Sequence, residues 1–340
     1  FVFVSDGSDD GTDELIKNAA SARIRLVRQE GRLGKTSGLN LAMASIDSDI
    51  VVFSDANAMY QRDAIKNLVR HFSDDSVGYV VGAALYTDGD TSAAAGSENS
   101  YWNYEIAIKA MESKLHSVVG GDGAIYAIRR SLYEPLDQKD INDFVNPLQI
   151  IGKGYRGYFD REAVCYEETA GDFVKEGRRK QRIVNRSFRG LMTNAGVLNP
   201  FKTGFFSFSV ISHKLLRWLV PVFSFVGFVG VLILSTFGSV FFQFLYACIL
   251  LGFAAIIMGY AFSSREYQPR ITQFAYYFYL VNYNALKGLL QYVGGETQVT
   301  WESSRAGGVA DALREQQKTL LVSACAWLFF AAYLYSLCVQ

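Results

Sequence analysis

From Leu219 to Ser264 the chain carries no charged residue. A bilayer core of ~30 Å is crossed by roughly 20 helical residues, so this stretch is long enough for two spans. Ser235-Thr236-Phe237-Gly238-Ser239 supplies the turn between them. Thr319–Gln340 is also free of charge and long enough for one more span. Ile271–Val293 is apolar but interrupted by Asn282, Asn284 and Lys287, and it reads either as a tilted span or as a helix lying in the interface. Lys214 and Arg217 precede the first span and Arg265 and Arg270 follow the second, while the turn between them has neither Lys nor Arg. Positive residues are retained in the cytoplasm. A multi-pass protein of the cell (inner) membrane is therefore expected, with the N-terminal half on the cytoplasmic side and lipids as constant partners.

That N-terminal half alternates strand and helix. Phe1–Ser5, Arg23–Arg28, Ile50–Ser54, Val77–Leu85, Ala124–Ile128 and Tyr155–Val164 read as strands, and Thr12–Ala20, Lys35–Ser45 and Tyr101–Leu115 as helices. Such alternation predicts an α/β fold with a mainly parallel sheet and helices on both faces. The expected division is an α/β domain over 1–200, interfacial and transmembrane helices over 205–295, a polar linker over 296–318 and a last transmembrane helix over 319–340. The chain opens in mid-strand without Met, so an earlier strand and loop are expected to precede Phe1. With 33 basic and 33 acidic residues in 340, nothing global points to nucleic acid. Cys165, Cys248, Cys325 and Cys338 are scattered and form no CxxC, which argues against a zinc site or a disulfide framework.

Two apolar strands end on an acid. Phe1–Ser5 runs into Asp6-Gly7-Ser8-Asp9-Asp10-Gly11-Thr12, and Ile50–Ser54 into Asp55-Ala56-Asn57. Ligands of α/β sheets sit beyond the carboxyl ends of strands, so both acids are expected in one crevice. The first turn is also a plain helix entry, with Thr12 as a cap. A calcium loop would need a glutamate where Lys17 stands. Asp55 and Asn57, spaced i, i+2, can reach one hard cation, Mg²⁺ or Mn²⁺, although a simple Asx turn has the same residues. Gly31-Arg32-Leu33-Gly34-Lys35-Thr36 imitates a phosphate loop, but Gln29 stands where that loop needs glycine. Lys35 can still meet a phosphate as a point charge, or be a surface lysine. Asp143, between apolar neighbours in Ile141-Asn142-Asp143-Phe144, is the candidate base; a helix N-cap ahead of Val145–Ile151 is the competing reading. The basic run from Arg178 to Arg189 suits either a diphosphate or anionic headgroups. His71, His116 and His213 form no cluster and read as surface or interface residues.

Together these residues resemble the family 2 glycosyltransferases, in the membrane-bound branch that includes cellulose, chitin, hyaluronan and poly-N-acetylglucosamine synthases. Ser5-Asp6-Gly7-Ser8 with Asp10-Gly11-Thr12 resembles the nucleotide-binding acidic turn, and Gly34-Lys35 with Leu39-Asn40 the block that follows it. Asp55-Ala56-Asn57 stands at the metal-binding DxD, with Asn57 in place of its second acid. Gly120-Gly121-Asp122-Gly123-Ala124 resembles the loop under the acceptor, and Asn142-Asp143 the acidic pair that supplies the base. Gln181-Arg182 begins a motif like QxxRW, but Val184-Asn185 stand where its Arg-Trp would be. Ser212-His213-Lys214 and Trp301-Glu302 resemble the membrane region of small members.

The resemblance implies a GT-A fold and inverting, Mg²⁺- or Mn²⁺-dependent transfer from a UDP-sugar to the hydroxyl of a glycan or a lipid-linked acceptor. It implies Asp143 as base, and Asp6, Lys35, Asn40, Asp55, Gln181 and Arg182 around the nucleotide sugar. Asp55 and Asn57 would be at the metal, and Gly121, Asp122 and Gly123 under the acceptor. The missing Arg-Trp leaves single transfer and processive synthesis both open. Two other functions compete. Asn57 and Asn142 in place of acids suit a degenerate membrane partner subunit that binds nucleotide without turnover. Gly34-Lys35-Thr36 suggests a nucleotide hydrolase, which the absence of glycine at position 29 opposes.

Overall fold

The computed structural model describes residues 1–19, 21–87, 93–168, 173–263, 269–297 and 324. Its N-terminal part runs through β1 (Val2–Ser5), α1 (Thr12–Asn18), β2 (Arg25–Arg28), α2 (Lys35–Met43), β3 (Ile50–Phe53), β4 (Met59–Tyr60) and α3 (Ala64–Arg70). It continues with β5 (Val77–Tyr86), α4 (Ala93–Leu115), β6 (Tyr126–Arg129), α5 (Asn142–Gly152), β7 (Arg156–Glu167) and α6 (Phe173–Thr193). The C-terminal part holds α7 (Pro200–Thr203), α8 (Phe205–Ser209), a π-helical stretch (Val210–Leu215), α9 (Leu216–Thr236), α10 (Val240–Ala261) and α11 (Arg270–Val293). The expected span Thr319–Gln340 apart from Ala324, together with Trp301-Glu302 and Arg265, lies outside the described residues, Cys325 and Cys338 included.

The sheet is mixed, which corrects the expectation of a mainly parallel one. β1 and β2 pair in parallel as a separate ribbon. The larger sheet has the order β3-β6-β5-β7-β4. Only its β5–β7 pair is parallel; β3–β6, β5–β6 and β4–β7 are antiparallel. The alternation of strand and helix was legible, but strand direction has no signature in periodicity. β6 enters the sheet between β3 and β5 from the opposite end.

Burial on both faces explains the near-continuous apolar strands. Along β5, Tyr79, Val81 and Ala83 face one core, while Val80 and Ala84 face another. β6 repeats the division, with Tyr126 and Ile128 in the first core and Ala127 in the second. The first core does not stop at the sheet. Through Phe144 and Leu148 of α5 it continues into Val184 and Leu191 of α6, then Phe206, Val210 and Trp218, and Ala285 and Leu289 of α11. Trp218 meets Phe144 edge-on at a centroid distance of 5.7 Å and Phe188 at 6.1 Å.

Two helical stretches, Phe205–Thr236 and Val240–Ala261, are long and apolar enough to cross a membrane. A soluble core helix would hide its apolar side chains. Here Phe223, Phe225, Val226, Phe241, Phe244 and Leu251 are all exposed. α11 buries Tyr276, Tyr277, Leu280 and Asn284. It packs on α6 closely enough that a Cβ on Gly288 would lie 2.5 Å from the Gln181 carbonyl oxygen.

Candidate functional site

The site is built from four short segments. The first is the turn between β2 and α2. Asp6, just beyond β1, accepts hydrogen bonds from the Leu33 amide (2.8 Å), the Gly34 amide (3.0 and 3.1 Å, one to each oxygen) and Gln29 Nε2 (2.7 Å). Gln29 also donates to the Gly34 carbonyl at 3.2 Å, and it is buried. The residue that spoils the phosphate-loop pattern is thus a strut for a different loop. Gly34 has φ +91°, a region glycine occupies without cost. This geometry starts α2 at Lys35, whose ammonium ion-pairs with Asp55 at the end of β3.

The third segment is the loop Gly120–Gly123 before β6. A Cβ placed on Gly123 would lie 3.1 Å from Asp55 Oδ2, 3.3 Å from Asp143 Oδ2 and 3.5 Å from Lys35 Nζ. Glycine at 123 therefore leaves open the space where three charged side chains meet. Asp122 next to it is buried and takes a charge-assisted bond from Lys109 at 3.0 Å.

Asp143 comes from the first turn of α5. It is not the helix cap: Ile141 holds that position, and no side chain caps the helix. The helix start is fixed instead by Tyr126 of β6, whose hydroxyl accepts from Asn142 Nδ2 (2.8 Å) and Asn146 Nδ2 (3.1 Å). Asn142 thus serves as a donor, a role an ionised aspartate there could not fill. Asp143 Oδ1 is buried without a hydrogen-bond partner. Burial pushes its pKa up, with Asp122 and Asp55 adding like charge and Lys35 and Lys109 opposing.

The other sequence-selected residues divide into those near this centre and those tied elsewhere. Arg182 on α6 is drawn down to about 10 by burial and by Arg186 and Arg179, against the pull of Asp143 and Asp55. Gln181 donates to Gln291 of α11 at 2.9 Å. Asn40 ties α2 to the 133–136 segment: it donates to the Leu136 carbonyl (2.7 Å) and accepts from Tyr133 Oη (2.6 Å) and the Leu136 amide (3.0 Å). The basic run is partly internal. Arg186 donates to the carbonyls of Gln138 (3.0 Å) and Lys139 (3.1 Å), and Arg189 pairs with Asp140 and, at 3.4 Å, with Asp137.

Two features escaped the sequence. Glu167 ends β7 beside Asn57, and burial together with Asp122 and Asp55 raises it to about 7, while Arg179 and a hydrogen bond with Asn57 pull the other way. An acid at the end of an apolar strand is the signal that selected Asp6 and Asp55; here the expected strand stopped at Val164, three residues short. The second is His213, expected at a surface or interface and found buried among carboxylates.

Among the described residues no three His, Cys, Asp or Glu side chains form a closed metal cage. Asp55 has a hard carboxylate oxygen at the space beside Gly123, and Asn57, two residues on, is hydrogen-bonded with Glu167. That suits the mode in which Mg²⁺ or Mn²⁺ is shared with substrate phosphates. The unpartnered Asp143 oxygen and the unfilled space at Gly123 leave room for a ligand beside them.

This architecture, an α/β sheet with its acids gathered at strand and helix ends, is a GT-A-like fold. Residues 1–136 match the family model described as Glycosyl transferase family 2. The match includes Asp6, Lys35, Asp55 and Asp122 and ends before Asp143. Among solved structures, the mannosyltransferase PcManGT from Pyrobaculum calidifontis in complex with GDP-Man and Mn²⁺ is 21% identical. It superposes with a TM-score of 0.58 over 86% of this chain and 77% of its own. Glucosyl-3-phosphoglycerate synthase from Mycobacterium tuberculosis, in complex with Mn²⁺, UDP and glucosyl-3-phosphoglycerate, is 16% identical over 57% of this chain and 68% of its own, with a TM-score of 0.37. No curated protein matches the sequence.

Gly123→Ala probes the convergence directly. Its added methyl would meet Asp55, Asp143 and Lys35 at 3.1–3.5 Å without straining the backbone. If the reacting groups meet here, the expected result is a folded protein whose kcat falls by less than the roughly hundredfold cost of a 1 Å misplacement, because these contacts make the neighbours give by only a few tenths of an ångström. Circular dichroism and turnover measured on the same sample check it.

Proposed function

We propose that the chain is a membrane-anchored, inverting glycosyltransferase that moves a sugar from a nucleoside-diphosphate donor to an acceptor hydroxyl. The supporting observation is the meeting of Asp55, Asp143 and Lys35 around Gly123, with the Asp143 carboxylate buried and one oxygen unpartnered. In this reading the acceptor hydroxyl lies against Asp143. Its proton passes to Asp143, its oxygen bonds to the anomeric carbon, and the bond from that carbon to the diphosphate oxygen breaks. Attack opposite the leaving group inverts the anomeric centre. Burial makes Asp143 a stronger proton acceptor than an exposed carboxylate.

Lys35 and Arg182 would face the departing diphosphate as cations, while Asp6 holds the turn that aims Lys35. Asp55 and Asn57 would hold a divalent cation, which when bound offsets diphosphate charge. Gly121, Asp122 and Gly123 would form the floor on which the acceptor rests. The α/β part, 1–200, would work from the cytoplasmic side, with α9 and α10 as its anchor. UDP-sugars follow from the resemblance, and PcManGT is in complex with GDP-mannose; both are nucleoside-diphosphate sugars.

The test is release of nucleoside diphosphate by the full chain in nanodiscs, with panels of UDP- and GDP-sugars, Mn²⁺ and Mg²⁺, and lipid-linked and glycan acceptors. Metal-dependent release with a mass gain on one acceptor supports transfer. Nucleotide binding without turnover on every donor and acceptor would favour the degenerate partner subunit.

A further inference from the structure

Helix α4 buries three charged residues on one face, Glu105, Lys109 and Glu112, each at most 5% exposed. The spacing i, i+4, i+7 puts them in one row. Charged side chains are almost never buried unless paired, so each needs a partner. Lys109 finds Asp122 in the loop at the site. Glu112 is shared: Oε2 accepts from the Val119 amide at 2.9 Å, and Oε1 lies 2.6 Å from His213 Nδ1. The other ring nitrogen, Nε2, lies 3.1 Å from Glu105 Oε2. Glu105 also takes Lys214 at 3.3 Å and Arg217. Burial alone would raise it, but Lys214, His213 and Arg217 hold it well below the usual carboxylate range.

His213 belongs to the π-helical stretch in the N-terminal part of the first candidate span, Phe205–Thr236. Phe205 and Phe208 are exposed, while Phe206, Val210 and His213, spaced i, i+4, i+7, point into the protein. At the other end, the Gly121 amide donates to the Asp143 carbonyl at 2.5 Å. Short bonds thus run from His213 through Glu112 to Val119, and the same loop then grips the backbone of Asp143.

We propose that His213 is a positioning residue which, through Glu112, holds the Val119–Gly123 loop in the shape that presents Asp143, and so ties the foot of the first span to the candidate catalytic centre. The catalytic consequence rests on the reading of Asp143 as base; the placement of the loop does not. In this arrangement the ring has both nitrogens engaged by Glu112 and Glu105, which leaves neither for a ligand. Its loss should therefore reach the rate through loop order and leave nucleotide affinity alone.

The test uses the full chain in nanodiscs, comparing the parent with His213→Gln, Glu112→Gln and the double variant. Hydrogen exchange of the amides from 117 to 123, kcat, donor KM and nucleotide affinity by calorimetry are measured on each. For His213→Gln the expected result is exchange at least about tenfold faster, confined to that loop. Its kcat should fall by roughly tenfold to a hundredfold, with nucleotide affinity and donor KM within about twofold of the parent. The double variant should lose no more than the worse single one, because both break the same chain. A folded His213→Gln with parental exchange and parental kcat would overturn the inference, as would losses that multiply in the double variant. If His213→Gln does not fold, Glu112→Gln, which keeps the side-chain shape, is read against the same expectations. If no donor is turned over by the parent, the functional reading fails and loop exchange alone decides: faster exchange in 117–123 supports the positioning role, and unchanged exchange ends it.

Discussion

Asp143→Asn is expected to lower kcat by roughly a hundredfold to ten-thousandfold, the range a general base supplies. Nucleotide affinity should hardly change, because the amide keeps the shape of the side chain. The same substitution should make the protein more stable at neutral pH. Burial raises the folded-state pKa of Asp143, so the folded protein favours the neutral form. A group shifted this way favours folding below its unfolded pKa, and that contribution is lost as pH rises through the folded value. The variant carries no such charge. Its apparent Tm at neutral pH should therefore exceed the parent's. The difference should vanish below about pH 4, where the parent's carboxyl is neutral in the unfolded chain as well. Thermal scans at several pH values and single-turnover kinetics would check both halves. A loss of activity accompanied by a loss of stability would instead mark Asp143 as a structural residue.

The second large effect is expected at Asp55. Asp55→Ala removes the ion-pair partner of Lys35 and one of the two side chains proposed to hold the cation. Catalytic efficiency should fall by roughly a hundredfold or more, as when one fixed electrostatic contact to a transition state is removed. The sharper readout is binding. In the parent, Mn²⁺ should tighten nucleoside-diphosphate affinity; in Asp55→Ala, calorimetry with and without Mn²⁺ should give nearly equal affinities. A preserved Mn²⁺ effect would move the cation site elsewhere, with Glu167 beside Asn57 as the first place to look.

What the sequence disclosed and what it hid follow from the range of each interaction. Asp55 and Lys35 were legible because each stands at an element's end, where local pattern places it. The charge-free helices were legible for the same local reason. That Asp55, Lys35 and Asp143 share one space depends on β6 entering antiparallel between β3 and β5, and strand direction leaves no periodic trace. Gln29 looked like a defect in a phosphate loop; only the fold shows it bracing Asp6. Asn142 looked like a lost acid, but its amide is what Tyr126 needs. Glu167 was hidden by a strand end set three residues short. His213 was hidden because its two carboxylate partners lie about a hundred positions away in the chain.

The edge-on contact between Trp218 and Phe144 bears on how this protein can be handled. Phe144 immediately follows Asp143, and Trp218 stands at the head of the first apolar helix. A chain trimmed at residue 200 to avoid detergent would lack Phe206, Val210 and Trp218, opening a greasy hollow beside Asp143. Such a fragment should aggregate or bind micelles, and its failure to turn over sugar would say nothing about the intact protein.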